Sequence, residues 1–262
     1  MKKRIRRWIY STNAKDIGIL YLFFGLFSGL VGTSLSLLIR LELSSPGSPY
    51  LNNEQIYNVI VTGHALVIIF MSVMPILIGG LGNYMIPILI GTREMAWPRI
   101  NAIGFWLLPL SFFFLLLSLF IDNGIGTGWT LYPPLSTKGH MGRAIELGII
   151  GIHIAGLSSI LSSINFIITI NNLKIYPYVY LPLYVWSIYF TSLLLLISLP
   201  VLAIAITLIL TDRNFNTSFY DTIYGGDVLF FQHLFWLFRS PWSLRDNFTC
   251  IWSNKWRYNQ RI

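Results

Sequence analysis

Long stretches without a charged side chain constrain this sequence more than any other feature. Four of them contain no Asp, Glu, Lys or Arg: residues 59–92, 100–121, 147–173 and 175–211. Each is long enough for one spanning helix, because a helix needs about 20 apolar residues to cross a bilayer. Only 11% of the residues are charged, whereas a soluble domain has about 25%. We therefore predict an all-α membrane protein.

The N-terminal segment resembles the basic part of a signal peptide, because five cations precede an apolar stretch. That stretch, 17–39, continues to Arg40 and Glu42 without a small-residue cleavage site, so we predict a first helix that is retained. The five predicted spans are 17–39, 59–90, 100–121, 145–170 and 181–210.

The last part of the chain is different. An apolar segment at 227–238 holds only a dozen residues, which is too few to cross a bilayer. Residues 239–262 then carry five basic residues, one acidic residue and three tryptophans. We predict a truncated sixth helix, followed by a basic, tryptophan-containing tail at the membrane surface.

The net charge of +8 does not indicate a nucleic-acid partner. The basic residues lie in loops and at both ends, where they set the topology of a membrane protein. The basic N-terminus should stay on the side where the protein is made, together with Arg93, Arg99 and Lys174. One cysteine, Cys250, leaves no intrachain disulfide framework.

Three histidines could carry chemistry. His64 lies inside an uncharged span, where an imidazole needs a partner: a metal, a haem iron or a group on a neighbouring helix. His153 precedes Gly156, Ser158 and Ser159; small residues at this spacing favour helix packing, with an internal file of water as the alternative. His140 lies in a polar loop, and we expect it to be solvated.

Glycines are dense at 79–82, near the end of the long second span. They allow another helix or a flat cofactor to approach the backbone. The chain has no phosphate-binding loop, nucleophile elbow, CxxC pair or HExxH helix. Hydrolase and nucleotide-binding functions are therefore not indicated, and a transporter remains a generic alternative.

Four strings in the sequence resemble the cytochrome c oxidase subunit 1 family of haem–copper oxidases. They read Gly32-Thr-Ser-Leu-Ser-Leu-Leu-Ile-Arg40-Leu-Glu42-Leu, Gln55-Ile-Tyr-Asn-Val-Ile-Val-Thr-Gly-His64, Gly126-Thr-Gly-Trp129-Thr-Leu-Tyr-Pro-Pro and Leu210-Thr-Asp212-Arg213-Asn214-Phe-Asn-Thr-Ser-Phe. The resemblance extends from about Trp8 to Phe238, in order and with the family's spacing. It implies that residues 1–238 form about half of a twelve-helix bundle.

The resemblance also implies roles for individual residues. The second-helix histidine, an axial ligand of low-spin haem A, falls on His64, and the arginine that contacts the haem formyl group falls on Arg40. Glu42 and the carbonyl of Gly47 match a site for calcium or sodium. The entrance of the family's proton path falls on Glu94, with Asn83 and Asn101 near it and Ser158 and Ser159 deeper. Glutamate replaces the family's aspartate at Glu94, and Ala102 replaces an asparagine.

The sequence departs from the family after Phe238. Family members continue with Gly-His-Pro-Glu-Val-Tyr, which supplies a copper ligand and a proton-relaying glutamate. Here Ser240 replaces that histidine and Trp242 that glutamate. The resemblance implies haem A and copper cofactors, electron transfer from cytochrome c to oxygen and proton pumping. The departure implies that this chain alone is not catalytic, and the alternative is a non-functional membrane fragment made by a frameshift or a retained intron.

The family resemblance also sets the expected surroundings. It implies a multi-pass protein of the mitochondrial inner membrane, with the N-terminus on the matrix side. The implied partners are the lipid bilayer, the other oxidase subunits, notably subunit 2, and cytochrome c through the complex. No nucleic acid is expected.

Overall fold

The computed structural model describes residues 7–47 and 50–240. Five helices in this part are long and apolar enough to cross a membrane. They are α1 (Ala14–Glu42), α2 (Glu54–Ile90), α3 (Pro98–Phe120), α4 (Ala144–Asn172) and α5 (Leu183–Asn214). A shorter helix, α6, spans 228–240. The described residues contain no β-strand, which confirms the predicted all-α fold.

The first two helices begin before the predicted spans because polar caps, not hydropathy, determine their starts. The side chain of Asn13 accepts a hydrogen bond from the Lys15 N–H at the start of α1. The side chain of Asn53 accepts one from the Gln55 N–H at the start of α2. Gly91 ends α2 with a φ of 79°, a left-handed conformation that glycine adopts without strain.

Small residues let α1 and α2 pack closely. The α1 glycines Gly18, Gly25 and Gly32 face α2, and a Cβ atom at Gly25 would lie 2.4 Å from the Ile76 side chain. The seam is also hydrogen-bonded: Ser72 donates to the Gly25 carbonyl at 2.8 Å, and Ser28 donates to the Met71 carbonyl at 2.6 Å. Pairing of this kind suits a membrane interior, where helices gain little from hydrophobic burial against one another.

The seam between α3 and α4 follows the same principle. Ser111 donates to the Gly151 carbonyl at 2.6 Å, and Ser158 donates to the Gly104 carbonyl at 2.5 Å. His153 on α4 lies 3.0 Å from the Thr207 hydroxyl of α5. These contacts support helix packing as the role of Ser158 and His153.

The antiparallel helices give the bundle two ends. We use "N face" for the end where α1, α3 and α5 begin, and "opposite face" for the end where they finish. Loops 43–53, 121–143 and 215–227 lie at the opposite face. Loops 91–97 and 173–182 lie at the N face.

Two adjacent charged residues at the end of α5 organise the opposite face. Arg213 donates to the carbonyls of Ser136, Thr137, His140 and Gly142 over distances of 2.6–3.1 Å. Its Nε lies 3.7 Å from the carboxylate of Glu146. Asp212 accepts hydrogen bonds from Thr217 and from the backbone N–H groups of Phe219 and Tyr220. Arg213 thus fixes loop 121–143, and Asp212 fixes loop 215–227.

The short helix α6 packs on the opposite-face loops through aromatic rings. Phe231, Phe235 and Phe238 are buried, and the ring centroids of Phe235 and Trp129 are 5.3 Å apart. The Arg239 guanidinium lies 5.2 Å from the ring centroids of both Trp129 and Trp236, which is cation–π distance. Whether the sixth helix ends there stays a prediction, because residues 241–262, including Trp242, lie outside the described part.

Candidate functional site

His64 lies on α2 in contact with α1. Its Nδ1 is 2.8 Å from the Gly32 carbonyl, and only a protonated Nδ1 can donate there. The half-buried ring therefore presents the lone pair of Nε2, which makes no hydrogen bond within the described residues. A histidine ligand of a metal is held in this way, with one nitrogen bonded to a carbonyl and the other free. The residue thus fits the axial haem ligand that the resemblance implies.

The helix that carries His64 changes character just after it. α2 is α-helical to Leu66, and then π-helical over Val67–Val73 and Pro75–Gly80. π-Helical turns are rare and often occur at functional sites. Pro75 cannot donate a backbone hydrogen bond, so it helps to break the regular ladder. Hydropathy gave no sign of this segment.

The glycines at the end of the π-helical segment and just after it pack against side chains from neighbouring helices. Cβ atoms at Gly79 and Gly82 would lie 2.3 Å from the Tyr21 ring and 2.9 Å from the Phe166 ring, respectively. These glycines therefore serve helix packing, one of the two interpretations from the sequence.

Arg40 lies exposed in the last turn of α1, two helical turns beyond Gly32 and about 12 Å along the axis.

Two buried asparagines lie near the N face. The Asn83 amide nitrogen donates to the Gly79 carbonyl at 2.7 Å, while its oxygen has no hydrogen-bond partner in the described residues. Neither amide atom of Asn101 has one there, although the residue is only 1% exposed. Buried polar groups normally find a partner, and water is the usual one when the protein supplies none.

Glu94 lies exposed on loop 91–97, and the sequence did not reveal what holds this loop. The Asn165 amide of α4 accepts from the Trp97 N–H at 3.0 Å and donates to the Trp97 carbonyl at 3.3 Å. Thr169 accepts from the Ala96 N–H at 3.0 Å. Asn165 and Thr169 were missed because a polar residue in an apolar span carries no sign of its partner.

A small cavity lies deeper in the bundle. Its volume is about 20 Å³, and Ser158, Ser159, Ser162 and Tyr21 are among the residues that line it. The Tyr21 hydroxyl is 3.4 Å from the Ser162 hydroxyl. A space of this size and polarity can hold about one water molecule. The hydrogen bond of Ser158 to Gly104 agrees with the packing interpretation, and the cavity is large enough for the water interpretation.

Glu42 and Gly47 lie together at the opposite face, where both line one cleft. One carboxylate oxygen of the buried Glu42 accepts from the backbone N–H groups of Tyr50 and Leu51 at 3.2 and 3.1 Å. The other oxygen accepts no hydrogen bond from the described residues. Gly47 has a φ of 93°, so its loop turns back at this point. A carboxylate oxygen that is free to bind is the kind of ligand that a hard cation prefers.

The other histidines lie apart from His64. His140 is half-buried, whereas the sequence analysis expected it to be solvated. Its Nε2 accepts from the Gly126 N–H at 3.2 Å and lies 3.1 Å from the Gln55 amide. His233 is exposed on α6. Among the described residues no group of three or more His, Cys, Asp and Glu could hold a metal ion. Ser240 donates to the Trp236 carbonyl within its own helix.

The bundle and its histidine define the class of the protein: a multi-spanning helical membrane protein that carries a half-buried imidazole on its second helix. The family model described as cytochrome c and quinol oxidase polypeptide I matches residues 16–244. The chain belongs to this family.

Fungal relatives agree with this assignment. Cytochrome c oxidase subunit 1 of Candida albicans is 51% identical over 241 residues, which cover 90% of this chain and 45% of that protein. The Eremothecium gossypii protein is 49% identical over 90% of the chain and 45% of its own length. For the Yarrowia lipolytica protein the figures are 49%, 92% and 46%. The chain thus spans about half the length of the curated relatives it matches.

Proposed function

We propose that this chain belongs to subunit 1 of a respiratory terminal oxidase. Such an oxidase passes electrons from cytochrome c to oxygen and pumps protons. The observation that carries the proposal is the orientation of His64, whose Nδ1 is engaged by Gly32 and whose Nε2 is free. Haem A, when bound, supplies an iron that accepts and releases single electrons. The Gly32 carbonyl fixes the imidazole tautomer, and the Arg40 guanidinium is the proposed contact for the haem formyl group.

The buried polar residues of the N face support proton uptake from that side. Glu94 offers an exposed carboxylate at the entrance, and Asn165 and Thr169 hold its loop in place. The unpaired amide atoms of Asn83 and Asn101 can bind water molecules that carry a proton inward. Ser158 and Ser159 line the next polar space. Glutamate at position 94 keeps the carboxylate and adds one methylene group, so uptake is retained in altered form.

Calcium or sodium is the proposed ligand of the opposite-face cleft. The free carboxylate oxygen of Glu42 and the backbone carbonyl of Gly47 would provide hard oxygen ligands. The sequence resemblance and the shared cleft support this site.

The oxygen-reducing step lies outside what these residues can do. A haem–copper centre needs a haem iron facing a copper held by three imidazoles, and the chain has four histidines, of which His64 is already assigned. His153 is bonded to Thr207, and His140 to Gly126. We therefore propose that this chain alone does not reduce oxygen and binds haem A weakly. The four histidines of this sequence do not supply the remaining ligands.

A second candidate is a non-catalytic membrane fragment produced by a frameshift or a retained intron. The residues after Phe238 favour it, because Ser240, which replaces the family's copper-ligand histidine, donates to the Trp236 carbonyl of its own helix. The nucleotide sequence downstream of codon 238 distinguishes the candidates. An alternative frame or a later exon that encodes Gly-His-Pro-Glu-Val-Tyr supports the fragment; its absence supports divergence.

The test of the haem proposal uses the full chain reconstituted with haem A. His64→Ala should weaken haem binding at least about tenfold, measured by absorbance titration. His153→Ala is the matched control, since it removes a half-buried imidazole from another helix. Equal loss in both variants would show that His64 is not the ligand. Cyanide-sensitive oxygen uptake by the chain alone would overturn the non-catalytic proposal.

The proposed location is the mitochondrial inner membrane, with the N face toward the matrix and subunit 2 and the other oxidase subunits as partners. The basic N-terminal cluster supports this orientation. Ser45→Cys, in a Cys250→Ser background, places a thiol on the exposed loop 43–53. It should react with an impermeant reagent from the intermembrane side. Reaction from the matrix side would reverse the topology.

A further inference from the structure

Loop 173–182 exposes apolar and aromatic side chains at the N face. It reads Leu-Lys-Ile-Tyr-Pro-Tyr-Val-Tyr-Leu-Pro and contains a short 3₁₀ turn, Tyr178–Tyr180. Val179 is 88% exposed, Tyr180 76% and Ile175 65%. A loop that faced only water would carry polar residues at such positions, since contiguous exposed apolar surface marks an interaction site.

The flanking helices fix the level of this loop. α4 ends at Asn172 and α5 begins at Leu183, and both are long enough to cross the membrane. The loop also lies against the end of α2: the Ile175 N–H donates to the Ile90 carbonyl, and its side chain contacts Gly91. The exposed residues therefore lie where the hydrocarbon region meets the headgroups. Tyrosine prefers this layer because its ring is apolar and its hydroxyl polar.

The charges around the loop have one predominant sign. Lys174 is its only charged residue, and the ammonium lies 3.6 Å from the centre of the Tyr178 ring. Arg93 and Arg99 are exposed at the neighbouring N-face connection, where Glu94 is the single acidic residue. Cations beside exposed aromatic rings are complementary to anionic lipid headgroups.

We infer that loop 173–182 is an interfacial anchor that inserts Val179 and Tyr180 into an anionic phospholipid headgroup layer. Lys174 binds the phosphate groups at its base, and Ile175 holds the loop against α2 so that its tip follows the membrane surface. This inference depends on the membrane fold and not on the oxidase activity.

The test uses the full chain with Cys250→Ser, which leaves no other thiol. Val179→Cys is labelled with an environment-sensitive fluorophore, and Met141→Cys, at a position that is 98% exposed on an opposite-face loop, is the control. Each chain is placed in vesicles of phosphatidylcholine, alone or with phosphatidylglycerol. The label at 179 should be about threefold more strongly quenched by nitroxide lipid than the control label, and about threefold less by iodide. Tyr180→Cys repeats the measurement at a second site.

Three outcomes would overturn the inference. A label at 179 that iodide reaches as freely as the label at 141 means that the loop lies in water. A label protected from iodide but not quenched by nitroxide lipid means that protein, for example a second copy of the chain, covers the loop. Equal quenching in neutral and anionic vesicles, unchanged by Lys174→Gln, removes the preference for anionic lipid.

Discussion

At the opposite face, Arg213 donates to four backbone carbonyls, whereas at the N face Asn101 buries both amide atoms without a partner in the described residues. The first arrangement stabilises structure, because a buried charge is costly unless it is bonded. The second leaves polar atoms available for water. The comparison thus contrasts an end of the bundle where a buried charge is bonded with an end where buried amide atoms are left for water.

The largest loss of stability should follow from Arg213→Met, which keeps the apolar stem of the side chain and removes the guanidinium. Four carbonyls lose their donor and Glu146 loses its charged neighbour, with the arginine side chain only 6% exposed. Removing one partner of a buried charged network costs about 3–5 kcal/mol. The free energy of unfolding in detergent and the proteolysis rate of loop 121–143 measure the loss.

The matched control for that variant is Arg143→Met, since Arg143 is exposed in the same loop region. We expect its change in unfolding free energy to stay within about 0.5 kcal/mol. A comparable loss in both variants would mean that general positive charge, not the hydrogen bonds of Arg213, stabilises the opposite face.

The next effect is expected for Asn165→Ala at the N face. The variant loses both hydrogen bonds to the Trp97 backbone and should be destabilised by about 1–3 kcal/mol. Loop 91–97 should then exchange its amide hydrogens faster, because only the Thr169 bond to Ala96 still holds it to α4. Asn172→Ala, at an exposed position on the same helix, is the control, and hydrogen exchange that is equally fast in both would contradict the assigned role.

The fold could be read from the sequence to the extent that it depends on hydropathy. The four charge-free stretches and the apolar segment 17–39 predicted five spans, and the part of the chain that the structure describes has five such helices. Their starts differ from the prediction where caps such as Asn13 and Asn53 decide. The π-helical segment after His64 was not predictable, since its residues are as apolar as those of an ordinary helix.

The candidate site was predictable only in part. His64 stood out as an imidazole at membrane depth, and its bond to Gly32 agrees with the ligand interpretation. His140 was expected in water because its neighbours along the chain are polar, yet its ring is bonded to Gln55, 85 positions away. Asn165 and Arg213 were missed for the same reason: their partners are distant in sequence.

A smaller effect concerns pH at the opposite face. The Lys138 ammonium donates a hydrogen bond to Asp221. This hydrogen bond is the main reason why the pKa of that carboxyl is lowered. A pKa that is lower in the folded state means that the pair contributes stability above the unfolded pKa of about 3.9. This contribution is lost as the pH falls through the folded pKa. Lys138→Gln should therefore flatten the acid side of a melting-temperature profile by a small amount. Identical acid limbs for the two proteins would show that the pair contributes nothing.

The smallest change in stability is expected for Asn101→Leu, which tests the other half of the comparison. The amide makes no hydrogen bond to the described protein, so its removal breaks none. Leucine has a similar volume and avoids the cost of burying a polar group, and we expect the unfolding free energy to change by no more than about 0.5 kcal/mol. Under the proposed function, proton uptake through the N face of an assembled oxidase should nevertheless fall, because a water molecule held by the amide would lose its partner. A destabilisation as large as that of Asn165→Ala would mean that Asn101 is structurally bonded after all. The buried polar residues at both ends of the bundle would then have the same structural role.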